Sequence, residues 1–229
     1  MIEPRLIVPG VHLLAFEVGQ VYLWDWGEGL TVVDSGIAGS APAILDAVEA
    51  VGHRPEDVRE IVLTHCHDDH RGGAAALVAR TGARVIAHRA DAPVIRGEQP
   101  WTMPVLLDFE RPIFEAVAPK VPPAESVDVD DEVDDGATTA GGGAVVGVPG
   151  HTPGSIALLV PKLGVLFTGD TIAEYEGDPM LGVFNLDRAR AINSVRKQAR
   201  LEFDVACFGH GAPLIGGADR RIRALAERL

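Results

Sequence analysis

Short apolar runs separated by turn residues make up the first part of the chain. Residues 11–18, 21–26 and 30–34 are three such runs, with glycine-containing turns between them. Runs of this length, rich in valine, leucine and aromatic side chains, are typical of β-strands. The pattern therefore predicts a β-meander at the start of the protein.

Helical periodicity begins where the meander ends. Ser40 and Pro42 open a stretch with apolar residues at helical spacing, and Gly52 ends it, which predicts a helix. Strands are predicted further on at residues 61–63, 84–87, 145–148, 156–160, 165–167 and 205–208, and helices at 73–82, 91–96, 187–202 and 219–229. This alternation predicts a layered α/β protein. A length of 229 residues is enough for one domain, 1–229.

Two segments depart from the pattern. Residues 97–123 contain six prolines, which interrupt any long element, so a loop is predicted there. Residues 128–135 contain six aspartates and glutamates but lack the regular spacing and the glycine of an EF-hand loop. A solvated, mobile acidic loop is therefore predicted in preference to a calcium site.

Five of the eight histidines lie in loops at the ends of predicted strands, beside glycine or acidic residues. Three of them belong to one run, residues 65–70. In an extended segment His65, His67 and Asp69 would share a face, because side chains alternate along a strand. A tight turn after Asp69 would then bring His70 round to the same side. Imidazole and carboxylate are ligands that zinc and similar divalent metals prefer.

Three more strand ends support a metal-site prediction. His151 lies in the run 150–154, Asp170 in 167–171 and His210 in 208–211, each directly after an apolar strand and each beside glycine. Glycine allows the backbone to approach closely at such positions. Four strand ends thus offer seven ligand-type side chains: His65, His67, Asp69, His70, His151, Asp170 and His210.

The run His65-Cys66-His67-Asp68-Asp69-His70 matches the His-x-His-x-Asp-His signature of the metallo-β-lactamase fold superfamily. The chain resembles that superfamily over about residues 10–215, and residues 32–36 match an early strand-end motif of its members. The resemblance implies a four-layer αβ/βα sandwich. It also implies that the site lies along one edge of the paired sheets.

The same resemblance implies a role for each ligand. One divalent metal ion would be held by His65, His67 and His151, a second by Asp69, His70 and His210, and Asp170 would bridge the two. A bridging aspartate is similar to glyoxalase II-type thioesterases and lactonases, and differs from true zinc β-lactamases. Asp69 and Asp170 are the expected catalytic residues. Asp34 is expected to orient a ligand histidine from behind.

This ligand set predicts two divalent metal ions, with zinc as the first choice and iron or manganese as alternatives. Two cations would lower the pKa of a shared water towards ~7, so that a metal-bound hydroxide attacks the carbonyl of an ester, thioester or lactone. Three alternatives stay open. They are a mononuclear iron enzyme similar to persulfide dioxygenases, a β-lactam hydrolase, and a non-catalytic metal-binding protein of the same fold.

Four aromatic residues are candidate substrate contacts. Tyr175 follows the bridging aspartate by five positions, and Trp101, Phe109 and Phe114 lie in the proline-rich segment. These last three would either line an apolar pocket or fix the loop to the domain. By alternation, Cys66 and Asp68 should point away from the metal ions, so Cys66 is predicted to be a packed, unliganded thiol.

Charge and composition restrict the partners. The net charge of −13 opposes binding to nucleic acid or to anionic membranes, which leaves a small-molecule carbonyl compound as the expected partner. Two cysteines form no disulfide framework, and the first residues lack the features of a secretory signal. The cytoplasm is therefore the expected location, and the oligomeric state is left open.

Overall fold

The computed structural model describes residues 2–229, and its first half forms a seven-stranded sheet. The strands lie in chain order: β1 (Arg5–Val8), β2 (Val11–Ala15), β3 (Gln20–Asp25), β4 (Leu30–Val33), β5 (Val58–Val62), β6 (Arg84–His88) and β7 (Asp131–Val133). The first four are antiparallel, and from β4 onward neighbouring strands are parallel. Parallel neighbours need crossovers, which explains why helices appear only after β4.

Five helices belong to these crossovers. They are α1 (Ala41–Ala50), α2 (Asp68–Arg71), α3 (Ala74–Thr81), α4 (Ala92–Ile95) and α5 (Glu110–Val117), with 3₁₀ turns at Pro55–Asp57 and Ala118–Lys120. Pro42 lies in the first turn of α1, where a missing N–H leaves no hydrogen bond unmade. Gly82 ends α3 with a left-handed φ of 68°, as the sequence predicted for this helix end.

A second sheet has the order β14-β13-β10-β9-β8. Its strands are β8 (Ala144–Gly147), β9 (Ile156–Val160), β10 (Val165–Phe167), β13 (Val205–Cys207) and β14 (Leu214–Ile215), and a separate hairpin consists of β11 (Ile172–Tyr175) and β12 (Asp178–Leu181). Helices α6 (Arg188–Gln198) and α7 (Ala218–Arg228) complete the chain. No helix within residues 2–229 combines the length and apolarity needed to cross a membrane.

Three apolar clusters separate four layers. In β3, Leu23 belongs to the cluster beneath α1 and α3, whereas its neighbour Trp24 belongs to the cluster between the two sheets. In β10, Phe167 faces the first sheet and Leu166 faces α6 and α7. Side chains alternate along a strand, so strands covered on both faces are apolar throughout. The predicted four-layer αβ/βα sandwich is confirmed.

Two local predictions were wrong. Residues 97–123 are not simply a loop, because α5 lies within them; Pro112 fits near the helix start, where its missing N–H is harmless. Residues 128–135 are not a mobile acidic loop, because β7 pairs with β6 at the edge of the sheet. Cations distant in sequence pair with these acids: Arg84 with Asp131, Arg96 with Glu132, Arg89 with Asp134 and Lys197 with Asp135.

Candidate metal centre

The histidine loop follows β5 and changes conformation within the signature itself. His67 is extended (φ −70°, ψ 149°), and α2 begins at the next residue. Asp69 and His70 therefore lie on a helical turn, and the predicted extended run through Asp69 was wrong. Two acidic residues at positions 68 and 69 favour this helix start, because carboxylates stabilise the positive end of a helix. The helical turn still brings Asp69 and His70 to the same site as His65 and His67.

The other candidate ligands come from three further strand ends. His151 follows β8, Asp170 follows β10 and His210 follows β13. Strands β10 and β13 are parallel neighbours, so their carboxyl ends meet at one edge of the second sheet. All seven predicted ligands belong to three overlapping groups, and within each group the candidate ligand atoms lie within 4.8 Å of one another. Two of these groups share no residue, and the third, formed by His65, His70 and Asp170, connects them.

The first group consists of His65, His67 and His151. Nδ1 of His67 lies 3.1 Å from Nε2 of His65 and 2.9 Å from Nε2 of His151. Burial lowers the pKa of His67 to about 4 and that of His151 to about 3. These rings are therefore neutral at pH 7, and their converging lone pairs match the ligand set of a divalent cation.

The second group consists of Asp69, His70 and His210. Oδ2 of Asp69 lies 3.2 Å from Nε2 of His210 and 3.6 Å from Nε2 of His70. Burial alone would lower the pKa of His210, but the neighbouring carboxylates of Asp170 and Asp69 raise it to about 10. Asp69 and Asp170 thus stabilise the protonated form of His210, whose positive charge a metal ion would replace.

Asp170 lies between the two groups. Its Oδ2 is 3.2 Å from Nε2 of His210, 3.7 Å from Nε2 of His151 and 4.0 Å from Nε2 of His65, and its Oδ1 is 3.3 Å from Nε2 of His70. Burial would raise the pKa of Asp170, but His210 and His70 hold it well below its usual range. One carboxylate therefore contacts both groups in its ionised form.

Two ligand atoms show that polar partners are missing from the site. Nε2 of His70 and Oδ1 of Asp170 are fully buried and lie 3.3 Å apart without forming a hydrogen bond, and neither atom has another hydrogen-bond partner within the described part of the chain. Buried polar atoms normally have a partner, and each exception calls for an explanation. A divalent cation bound by imidazole and carboxylate would satisfy both atoms. The residues present thus fit a metal ion.

Asp34 supports this site from behind, at the end of β4. It is buried, and its backbone has a left-handed φ of 58°, which is rare for a residue with a side chain. Its carboxylate accepts hydrogen bonds from the Thr64 N–H (2.7 Å) and hydroxyl (2.8 Å) and lies 2.8 Å from Nδ1 of His70. A proton on Nδ1 would leave Nε2 of His70 free to bind a metal ion, so this contact suits the orienting role that the sequence predicts for Asp34.

Asp91 is a second buried support, and sequence reasoning missed it. Its carboxylate accepts hydrogen bonds from Cys66 N–H (3.0 Å), Gly154 N–H (2.7 Å) and the Thr152 hydroxyl (2.6 Å). It therefore ties the 65–70 loop to the loop of His151. A side chain at Gly154 would place Cβ 2.6 Å from the Asp91 carboxylate, so glycine is required there. The sequence offered one signal for this role, because Asp91 is an acidic residue that closely follows β6. Strands β5 and β6 are parallel, so Asp91 lies at the same sheet edge as the 65–70 loop.

Arg71 holds the same loop through its buried guanidinium, which donates to the Cys66 carbonyl at 3.0 Å and pairs with Asp68 at 2.6 Å. Asp68 thus has a partner of its own outside the ligand groups. Cys66 is buried and belongs to none of the ligand groups found among residues 2–229. Burial raises the pKa of its thiol, as expected for a packed, unliganded cysteine.

A cavity of about 370 Å³ opens next to the ligands. Trp101, Phe114 and Tyr175 line it, and the Trp101 ring lies 5.6 Å from the His67 ring. Phe109 does not: it lies outside the cavity, immediately before α5, with 53% of its surface exposed. Three of the four predicted aromatic contacts are therefore near the site.

The geometry agrees with the match to a known family. A model of the metallo-beta-lactamase superfamily matches residues 15–210. The chain belongs to this superfamily. The probable metallo-hydrolase YflN of Bacillus subtilis is 27% identical to this chain over 242 residues. The match covers 96% of this chain and 91% of YflN. Hydroxyacylglutathione hydrolase of Rhodobacter capsulatus is 28% identical over 177 residues, which cover 75% of this chain but 57% of that protein.

Solved structures of the superfamily share the fold. A metallo-β-lactamase with a HARLDQ motif from Cronobacter sakazakii superimposes with a TM-score of 0.69 and 28% identity, covering 92% of this chain and 78% of that chain. The metallo-β-lactamase SMB-1 has a TM-score of 0.74 at 23% identity, covering 99% of this chain and 93% of its own. At that identity the second match concerns the fold alone.

Proposed function

We propose that this protein is a hydrolase that binds two divalent metal ions and cleaves an ester, a thioester or a lactone. The observation that carries the proposal is the position of Asp170, whose carboxylate contacts ligand histidines of both groups. A single-metal site would need only one of the groups. Zinc is the first choice of metal, because histidine and carboxylate ligands suit it.

Each metal ion would have its own ligands in the chain. His65, His67 and His151 would hold one, Asp69, His70 and His210 would hold the other, and Asp170 would touch both. When bound, such a pair supplies a water of lowered pKa and polarises the scissile carbonyl. Asp34, Asp91 and Arg71 fix the ligand loops beforehand, so that little rearrangement is needed.

The reaction needs only water and the substrate. Water adds to the carbonyl carbon, the C–O or C–S bond breaks, and the leaving alcohol or thiol takes the proton, so that a carboxylic acid remains. Asp69 and Asp170 line the cavity and their pKa values lie below the usual range, because His70 and His210 overcome the opposing effect of burial. Both carboxylates are therefore ionised at neutral pH and are available as hydrogen-bond or proton acceptors.

The relatives favour hydrolysis over other chemistry. YflN is described as a probable metallo-hydrolase, and hydroxyacylglutathione hydrolases act on a glutathione thioester. A β-lactamase activity has support from the Cronobacter sakazakii structure, so a β-lactam belongs among the compounds tested. A redox activity of the persulfide dioxygenase type would use a single iron ion, whereas seven ligand side chains lie together in this site.

The test combines metal analysis with activity. We expect purified protein to contain close to two metal ions per chain by mass spectrometry. It should hydrolyse at least one aryl ester, thioester or lactone, lose activity with a chelator and regain it with zinc, manganese or iron. His151→Ala should abolish activity, whereas His53→Gln, at a half-buried position outside the ligand groups, should not. One iron per chain together with oxygen uptake would contradict the proposal.

A further inference from the structure

The cavity beside the metal ligands has an apolar outer part. One wall comes from residues 101–121, here called the cover segment, through Ile113, Phe114 and Val117. A second wall comes from the β11–β12 hairpin and the residues after it, through Met180 and Phe184. The ligand side chains form the inner end. A molecule whose carbonyl lies at the ligands would thus place its remaining atoms between two apolar walls.

The charged side chains around the cavity are mostly acidic. Its charged lining consists of acids and histidines, and no lysine or arginine within residues 2–229 lines it. Two cations near the lining in sequence have partners, since Lys120 pairs with Glu17 at 2.7 Å and Arg71 pairs with Asp68 at 2.6 Å. Arg111, on the cover segment, is exposed and lies outside the lining. An anionic group in the outer part would therefore lose its water and gain no cation in return.

The cover segment is held in place by a buried carboxylate. Glu110 is 3% exposed and accepts hydrogen bonds from the Leu107 N–H at 2.9 Å and the Phe184 N–H at 3.0 Å. The second bond joins the two walls directly. Phe114 and Phe184 also pack edge to face with their ring centroids 5.4 Å apart. The apolar space is thus preformed, which reduces the entropy lost when an apolar chain binds.

We propose that the substrate is an uncharged carbonyl compound whose apolar acyl chain lies between the cover segment and the hairpin. This inference rests on the proposed hydrolase function and narrows its substrate class. The volume of about 370 Å³ is near the lower end of the range for small-molecule sites. A small neutral ester, thioester or lactone fits both the size and the charge, whereas a large anionic conjugate fits neither.

A matched pair of esters tests the charge preference. The 4-nitrophenyl ester of hexanoic acid and the mono-4-nitrophenyl ester of adipic acid have the same chain length, but the second ends in a carboxylate. We expect metal-loaded protein to hydrolyse the hexanoate with a kcat/KM at least about tenfold higher, because the carboxylate would be buried without a cation. Along the acetate, butyrate and hexanoate series, kcat/KM should rise by up to about fourfold per methylene.

Two lysine substitutions on the cover segment test whether the charge preference arises at the cavity wall. Ile113 lines the cavity and is 43% exposed, so Ile113→Lys adds a cation to the wall while the ammonium can still reach water. This variant should lower the hexanoate-to-adipate ratio by about tenfold. Val105→Lys is the control, because Val105 is 89% exposed and lies outside the cavity. It makes the same charge change and should leave the ratio as it was.

A binding measurement separates the two proposals. Calorimetry with hexanamide and with the monoamide of adipic acid reports on the cavity without any hydrolysis. Equal or better hydrolysis and binding of the carboxylate compounds would overturn the substrate inference and leave the hydrolase function standing. Tighter binding of hexanamide without hydrolysis of any ester, thioester or lactone would overturn the proposed function and leave the preference of the cavity intact.

Discussion

The carboxylate of Asp34 lies 2.8 Å from Nδ1 of His70. Asp34 directly follows β4, and His70 lies on α2, which comes after the neighbouring parallel strand β5. Asp34 pairs in this way from a left-handed backbone conformation, with φ at 58°. Such a conformation costs free energy and persists where the surroundings hold it in place. Here the Thr64 N–H and hydroxyl also donate hydrogen bonds to the carboxylate and hold it in place. The aspartate thus favours a proton on Nδ1 and fixes the orientation of a candidate ligand histidine.

Replacing Asp34 should weaken metal binding without touching a ligand. We expect Asp34→Asn to lower the affinity for the metal ions by about 10- to 100-fold, because the amide no longer fixes the His70 ring as an ionised acceptor. Competition with a chromogenic chelator measures this change. Asp46→Asn, at an exposed position of α1, is the control and should leave the affinity unchanged. An unaltered affinity in Asp34→Asn would contradict the positioning role.

The two ligand groups should respond differently to pH. In the metal-free protein the pKa of His210 is raised to about 10, so this ring is protonated at pH 7 and must release a proton when a metal binds. The pKa values of His67 and His151 are lowered to about 4 and about 3, so these rings have no proton to lose above pH 6. Burial alone would also lower the pKa of His70, but the carboxylates of Asp170, Asp69 and Asp34 raise it well above its usual value. Affinity at the Asp69 group should therefore rise by at least about tenfold per pH unit from 6.5 to 8.5.

Variants isolate each group for this measurement. His151→Ala leaves the Asp69–His70–His210 group intact, and His210→Ala leaves the three-histidine group intact. Titrations in buffers of different ionisation enthalpy count the protons released at each pH. Metal binding should release at least one proton from the His151→Ala variant and close to none from the His210→Ala variant. The same pH slope in both variants would show that the carboxylates do not raise the pKa of His210.

The convergence of the candidate ligands could be predicted because each is a local feature of the sequence. His65, His67, His151, Asp170 and His210 all follow short apolar strands, and parallel strands end at a common edge. The helix start at Asp68 was missed, since alternation along a strand was extended two residues too far. The supports were missed for a different reason. Asp91 acts through residues that are up to 63 positions away along the chain, so its position after a strand indicates the sheet edge but not the contacts that it makes there.

The fold shows the same division between local and distant features. Strands and helices with a clear apolar period were predicted, and so were the four layers that bury them. The β11–β12 hairpin was missed because it forms a separate two-stranded sheet with a polar turn. Helix α5 was missed because Pro112 was taken as an interruption. Both elements form walls of the cavity, so the sequence predicted where the candidate ligands meet better than it predicted the shape of the cavity.

Asp91 should matter for stability as well as for the site. Asp91→Ala removes the acceptor for two buried N–H groups and one hydroxyl, and each unpaired group costs about 1–3 kcal/mol. We expect the free energy of unfolding of the metal-free protein to fall by at least about 2 kcal/mol in urea denaturation. Asp128→Ala, at an exposed position, should change it by less than about 0.5 kcal/mol. Equal stability of the two variants would refute the bridging role.

Glu110 should influence substrate binding more than catalysis. Glu110→Ala removes the hydrogen bond between the cover segment and Phe184 but leaves the metal ligands untouched. We expect KM for the hexanoate ester to rise by about five- to tenfold, with kcat within about twofold, because a single wall contact is lost. Glu115→Ala, at an exposed position of the same helix, should leave both constants unchanged. A fall in kcat at constant KM would mean that Glu110 acts on the metal ligands instead.

Two phenylalanines on the cover segment form a matched pair for the last prediction. Phe114 lines the cavity against Phe184, whereas Phe109, five residues earlier, lies outside it. Phe114→Ala removes apolar surface that the acyl chain would cover, so KM for the hexanoate ester should rise about tenfold and that for the acetate ester much less. Phe109→Ala makes the same chemical change and should leave both values near those of the native protein. If the two substitutions raised KM equally, their effect would come from loosening of the segment, and the acyl chain would have to lie elsewhere.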